Sequence, residues 1–139
     1  MDTLELARRC AARMDEIDST SGDLGISVTL HEPGRAETRV EIRSDMVDTS
    51  GVCHRGYLFI LADSAFAFAS NSYNEVTYSV AATVQFLHPV KRGDRLRAVA
   101  SERSRSGRRG VYDVIVTNQD GTTVAMFRGS SHSTRQPLL

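Results

Sequence analysis

From Gly56 to Asn74 the chain carries one charged side chain, Asp63, in a stretch otherwise made of apolar, small and uncharged residues. Leu58, Phe59, Ile60, Leu61, Ala62, Ala65, Phe66, Ala67 and Phe68 fall nearly all round a helical wheel. A helix over residues 55–74, ~30 Å long at the usual rise, must therefore be buried on most of its sides. The remainder of the chain has to supply a layer that curves around it. An ionised carboxylate inside such a helix is costly, because desolvation penalises the charged form. Asp63 asks for a chemical explanation, although a lone Asp in an apolar helix is more often a hydrogen-bonded structural acid than a catalyst.

Other segments supply that layer. Leu4, Ala7, Ala11, Met14 and Ile17 recur at helical spacing, which predicts an amphipathic helix over residues 2–17, broken by Ser19 to Asp23. Leu24, Ile26, Val28 and Leu30 alternate as a first strand, and Pro33-Gly34 makes a turn. In a second strand Ala36, Thr38, Val40 and Ile42 face the core, while Arg35, Glu37, Arg39, Glu41 and Arg43 face solvent. Four more strands are predicted over residues 77–87, 95–103, 110–118 and 122–130, joined as a meander of hairpins.

At 139 residues the chain reads as one domain, residues 1–139, able to bury a core without disulfides or metal. Its 17 basic and 17 acidic residues balance, so nothing draws it to nucleic acid or an anionic membrane. The uncharged run from Ser64 to Asn74 falls well short of the ~18 apolar residues a membrane span needs. The start, Met1 to Glu5, carries acid where a signal peptide is positive. Cys10 and Cys53 sit in unrelated settings, so free thiols and a reducing cytoplasm are expected. His31, His54, His88 and His132 share no ligand spacing, so no metal site is expected.

Just before the long helix stands Val52-Cys53-His54-Arg55-Gly56, and inside it Leu61-Ala62-Asp63. Asp45-Met46-Val47, Phe86-Leu87-His88-Pro89, Gly93-Asp94, Gly110-Val111-Tyr112-Asp113 and Val124-Ala125-Met126-Phe127-Arg128-Gly129 complete the pattern. Over roughly residues 24–132 the chain resembles the phenylacetic acid degradation type of acyl-coenzyme A thioesterase, a hotdog-fold family. The resemblance implies an α+β hotdog fold, a curved antiparallel sheet around the central helix, here with an extra N-terminal helix. It implies hydrolysis of an acyl-coenzyme A (acyl-CoA) thioester to a carboxylate and free CoA. CoA is then part of the substrate, and no separate cofactor is expected. The site would form between subunits of a homodimer or homotetramer.

By that resemblance Asp63 is the general base or nucleophile, its pKa raised by burial. The family opens its helix with a His-Gly-Gly turn whose backbone N–H groups meet the oxyanion at the positive helix end. Here the principal donor is Arg55, with Gly56 beside it. Arg55 stands where the family has glycine, keeping the N–H and adding a cation. Asp48 takes the place of a family amide beside the acid. Two close carboxylates raise each other's pKa, so Asp48 is expected to be protonated at neutral pH while Asp63 is ionised. A solvated loop Asp is the plain alternative. His54 is expected to hold the turn rather than to act as a base. Arg103, Arg105, Arg108 and Arg109 surround Gly107 and are candidates to anchor the CoA phosphates, although exposed hairpin charge commonly serves only solubility.

Two other functions fit the same fold. A dehydratase or hydratase would need a proline-rich turn that this chain lacks. A non-catalytic acyl-CoA-binding sensor accords with Arg55 and Asp48, while the retained Asp63 speaks against it. Tyr57, Phe59, Phe66 and Phe68 are candidates to line a pocket for a phenylacetyl or ring-hydroxylated aryl group. Aromatics on a buried helix are more often core.

Overall fold

In the computed structural model, which describes residues 1–139, Asp2 accepts the Glu5 N–H at 2.7 Å and starts α1 (Thr3–Ile17). Asp18 then serves two helices. Its N–H closes α1 on Met14 O, and its carboxylate accepts the Ser21 N–H at 3.2 Å to open α2 (Ser19–Asp23). The segment expected to be a plain break is thus a capped short helix. Ala7 and Cys10 are fully buried, and α1 packs along β1 (Ser27–Glu32). That strand starts later than the alternation from Leu24 predicts, because Ile26 N–H turns back to Ser21 O at 2.8 Å.

After β2 (Arg35–Glu41) and a short 3-10 turn at Ser44–Met46 come α3 (Arg55–Ser70) and β3 (Thr77–Phe86). Then follow β4 (Arg95–Ser106), β5 (Arg109–Thr117) and β6 (Thr123–Ser133). The six strands form one antiparallel sheet in the order β1-β2-β4-β5-β6-β3, and α3 packs against all six. This is the hotdog arrangement. The expected meander holds only for β4 to β6. β3 pairs with β6 instead of β4, because the crossover through α3 carries the chain to the far edge of the sheet.

Apolar collapse around α3 dominates the core. Leu61, Ala65, Phe66 and Ala69 are fully buried against Ala98, Ala100, Val114 and Val116 of the sheet. Burying side chains such as Leu61 and Phe66 contributes ~1.5–3 kcal/mol each. A single buried polar tie, Thr38 Oγ1 donating to Leu61 O at 2.8 Å, fixes β2 to the helix. Gly129 is there for space, since a Cβ would come within 2.8 Å of the Phe66 ring. The helix stops at Ser70, short of the expected Asn74. Asn71 diverts its side chain to β3, with Nδ2 donating to Thr77 O and Oδ1 accepting from Thr77 N.

Glu37 departs from its expected solvated face. It is 1% exposed, roofed by Arg97, Arg39 and His31. Arg97 Nε donates to it at 2.6 Å. Burial alone would raise its pKa, but hydrogen bonds from Arg97 and His31 and the charges of Arg97 and Arg39 outweigh that and lower it. No helix is long and apolar enough to cross a membrane.

Candidate active site

The start of α3 is built by His54. Its backbone is extended, with φ −63° and ψ 130°, and its Nδ1 accepts the Gly56 N–H at 3.0 Å. The Tyr57 N–H donates to His54 O at 3.1 Å. The Arg55 N–H has no partner within the protein. The expected pair of oxyanion donors therefore reduces to one, because His54 occupies the Gly56 N–H. The Arg55 side chain leans the other way. Its guanidinium lies 5.3 Å from the Phe86 ring centre and faces a cavity of about 270 Å³ with Leu58 and Val90.

Asp48 shapes the loop before the helix. Its Oδ1 accepts Ser50 Oγ at 2.6 Å, Ser50 N–H at 2.9 Å and Val52 N–H at 3.1 Å. These bonds, the Ser50 hydroxyl foremost, hold its carboxyl below the usual range. The expected pairing of Asp48 with a second carboxylate, the ground for its protonation at neutral pH, is not formed within the chain: the side chain is exposed, and no other carboxylate bonds to it. With His54, Gly56, Tyr57 and Ile60 it borders a cavity of about 550 Å³.

Asp63 lies two turns further along α3. It is half-buried, accepts no hydrogen bond from the protein, and burial pushes its pKa up. Its cavity is a different one, of about 480 Å³, shared with Phe59, Ile60, Ser64 and Phe68. Ile60 borders both chambers. Met14 and Ile17 of α1 complete this second chamber, which sequence periodicity does not disclose. Apolar spacing shows that α1 packs, not which part of α3 its last turn overhangs. Of the expected aromatic lining, Phe66 belongs to the core, its ring 5.5 Å from Tyr112 and 5.8 Å from Phe127.

The hairpin arginines divide. Arg103 Nε pairs with Asp113 at 3.0 Å, and Arg105 pairs with Glu75 at 2.7 Å while stacking 3.8 Å from the Tyr73 ring centre. Arg108 and Arg109 are exposed and make no ion pair. Burial pushes the Cys53 thiol up to about 11, so it is no nucleophile at neutral pH.

An unpaired N–H at a helix start and an unsatisfied acid within the same helix suit acyl transfer. The family description that matches residues 50–125 is the thioesterase superfamily. The chain belongs to that superfamily. This thioesterase is 40% identical over 122 residues to the acyl-coenzyme A thioesterase PaaI of Escherichia coli, covering 88% of the chain and 87% of that protein. The structure of the E. coli PaaI protein from the phenylacetic acid degradation operon superposes with a TM-score of 0.94 at 37% identity, covering 98% of this thioesterase and 99% of PaaI. The TT0310 protein of Thermus thermophilus matches with a TM-score of 0.78 at 35% identity, over 83% of this chain and 97% of its own.

Proposed function

We propose that this thioesterase hydrolyses acyl-CoA thioesters to a carboxylate and free CoA, with Asp63 as general base or nucleophile. The observation that carries the reading is the Asp63 carboxylate: half-buried, without a hydrogen-bond partner, and open to a cavity. Desolvation makes such a group a stronger base than a solvated Asp. The Arg55 N–H is the oxyanion donor, at the positive end of α3. Likeness to PaaI favours phenylacetyl or ring-hydroxylated aryl-acyl groups.

Helix geometry favours a site shared between two copies of the chain. Eight residues separate Arg55 from Asp63, ~12 Å along the axis. Reacting atoms must approach to ~3–3.5 Å, so one carbonyl cannot meet both groups of one helix. A two-fold dimer brings the start of one α3 to the Asp63 of the other. The edge strand β3 suits such pairing, with Tyr78 61% and Val80 52% exposed and its outer edge unpaired. Antiparallel β3–β3 pairing would bring the Arg108–Arg109 hairpin, beside the start of β3, toward the far end of the partner's β3. The partner's Phe86 and the partner's Arg55 lie there. Arg108 and Arg109 are then placed to hold the CoA phosphates, while Arg103 and Arg105 keep their internal partners.

The test is release of free thiol from a panel of acyl-CoAs by wild type and Asp63→Asn at matched folding. Turnover that collapses in the variant supports the reading, and an inert wild type sinks it. Arg108→Ala with Arg109→Ala should raise KM for acyl-CoA about tenfold, the scale of one charged hydrogen bond, and leave acyl-pantetheine unaffected.

A further inference from the structure

We propose that the last turn of α1, together with α2, forms the outer wall of the acyl pocket, and that Ile17 and Met14 set the size of the acyl group reaching Asp63. The inference rests on the thioesterase reading and adds to it an element that lies before residue 50, where the superfamily match begins.

The wall is built as part of one chamber. Asp63, Phe59 and Phe68 line it from α3, and Met14, Ile17 and Thr20 line it from the N-terminal segment. Its volume of about 480 Å³ falls within the ~300–1,000 Å³ of small-molecule sites. The wall is tied down beside the acid: Ser21, 4% exposed, places its Oγ 3.3 Å from the Oγ of Ser64, the residue after Asp63. Asp18 caps α2 and holds that serine in position.

The chemistry of the lining commits the pocket to one kind of occupant. Met14, Phe59, Ile60 and Phe68 give it apolar walls; Asp63 is the charge on the α3 side, and Asp18 with the hydroxyls of Thr20, Ser21 and Ser64 forms a polar margin. A compact apolar acyl group fits between them with its carbonyl at the carboxylate. Ile17 stands at the rim, 61% exposed although it ends the apolar stripe of α1. From that position its side chain can touch an acyl group that occupies the chamber. A long straight chain would have to run out past Ile17 into solvent, and so gains less from burial than a compact one.

The experiment compares kcat/KM for acetyl-, phenylacetyl- and decanoyl-CoA in wild type, Ile17→Trp and Ile17→Ala. Ile17 is exposed, so neither change disturbs the core. Ile17→Trp is expected to lower phenylacetyl relative to acetyl turnover about tenfold, the usual discrimination of an apolar pocket. Ile17→Ala is expected to raise decanoyl relative to phenylacetyl turnover. Ratios that stay flat in active variants overturn the wall and leave the thioesterase reading standing. A wild type inert on every thioester overturns both.

Discussion

The Nδ1 of His54 accepts the Gly56 N–H at 3.0 Å, while the Arg55 N–H beside it has no partner within the protein. Arg55 is the first helical residue, a position where proline is tolerated, and His54 already has the extended backbone that a following proline requires. Arg55→Pro therefore deletes the donor and spares the helix. The expected outcome is a loss of ~10²–10³ in kcat with the far-ultraviolet circular dichroism unchanged.

His54→Ala removes the cap. Loss of an N-cap costs ~0.5–2 kcal/mol, read as a lower urea midpoint at constant slope. His54→Asn restores a side-chain acceptor and should recover most of the stability. Activity that survives in the asparagine variant would assign His54 to positioning rather than to proton transfer.

Burial raises the pKa of Asp63, which under the proposed mechanism ties activity to stability. An unfolded Asp titrates near ~3.9, below the folded group, so the folded state binds the extra proton between the two values. Stability is greatest below that window, falls as pH climbs through the folded pKa, and is level above it. Asp63→Asn should thus be more stable than wild type at pH 7, with the difference closing in acid. The acid limb of the wild-type pH–rate profile should lie above the ordinary carboxylate range.

Asp48 has the opposite sign. Hydrogen bonds from Ser50 and Val52 lower its pKa, so its contribution is present above the unfolded value and fades as pH falls through the folded one. Asp48→Ala should show a constant loss of stability near neutrality that vanishes in strong acid. A loss independent of pH would mean that the loop geometry, not the charge, matters.

Glu37 is roofed by Arg39, Arg97 and His31, whose own outer parts reach solvent. Glu37→Ala opens a hole beneath them and should cost about 1–3 kcal/mol in urea denaturation. Glu37→Met fills the volume and lets both arginines turn to water, so it should cost less.

Periodicity in the sequence locates α3, the strands and the isolated acid, because burial on one or all faces leaves a direct mark on residue type. The end of α3 escapes it because Asn71 prefers a bond to Thr77, and no apolar pattern encodes that choice. Alternation places Glu37 in solvent because it reports which face a residue occupies, not whether arginines will fold over it. Motif resemblance names Asp63, Arg55 and Gly56, but only the structure shows that His54 takes the Gly56 N–H. The resemblance sets Asp48 beside the acid, but no residue pattern discloses that its carboxylate closes a turn onto Ser50 and Val52.

In the proposed shared site, donor and acid come from different copies of α3. Inactivation should therefore be complementable between chains. Mixed dimers of Arg55→Pro and Asp63→Asn protomers would contain one doubly damaged site and one intact site. Random pairing of equal amounts would give about a quarter of wild-type turnover from two inactive proteins.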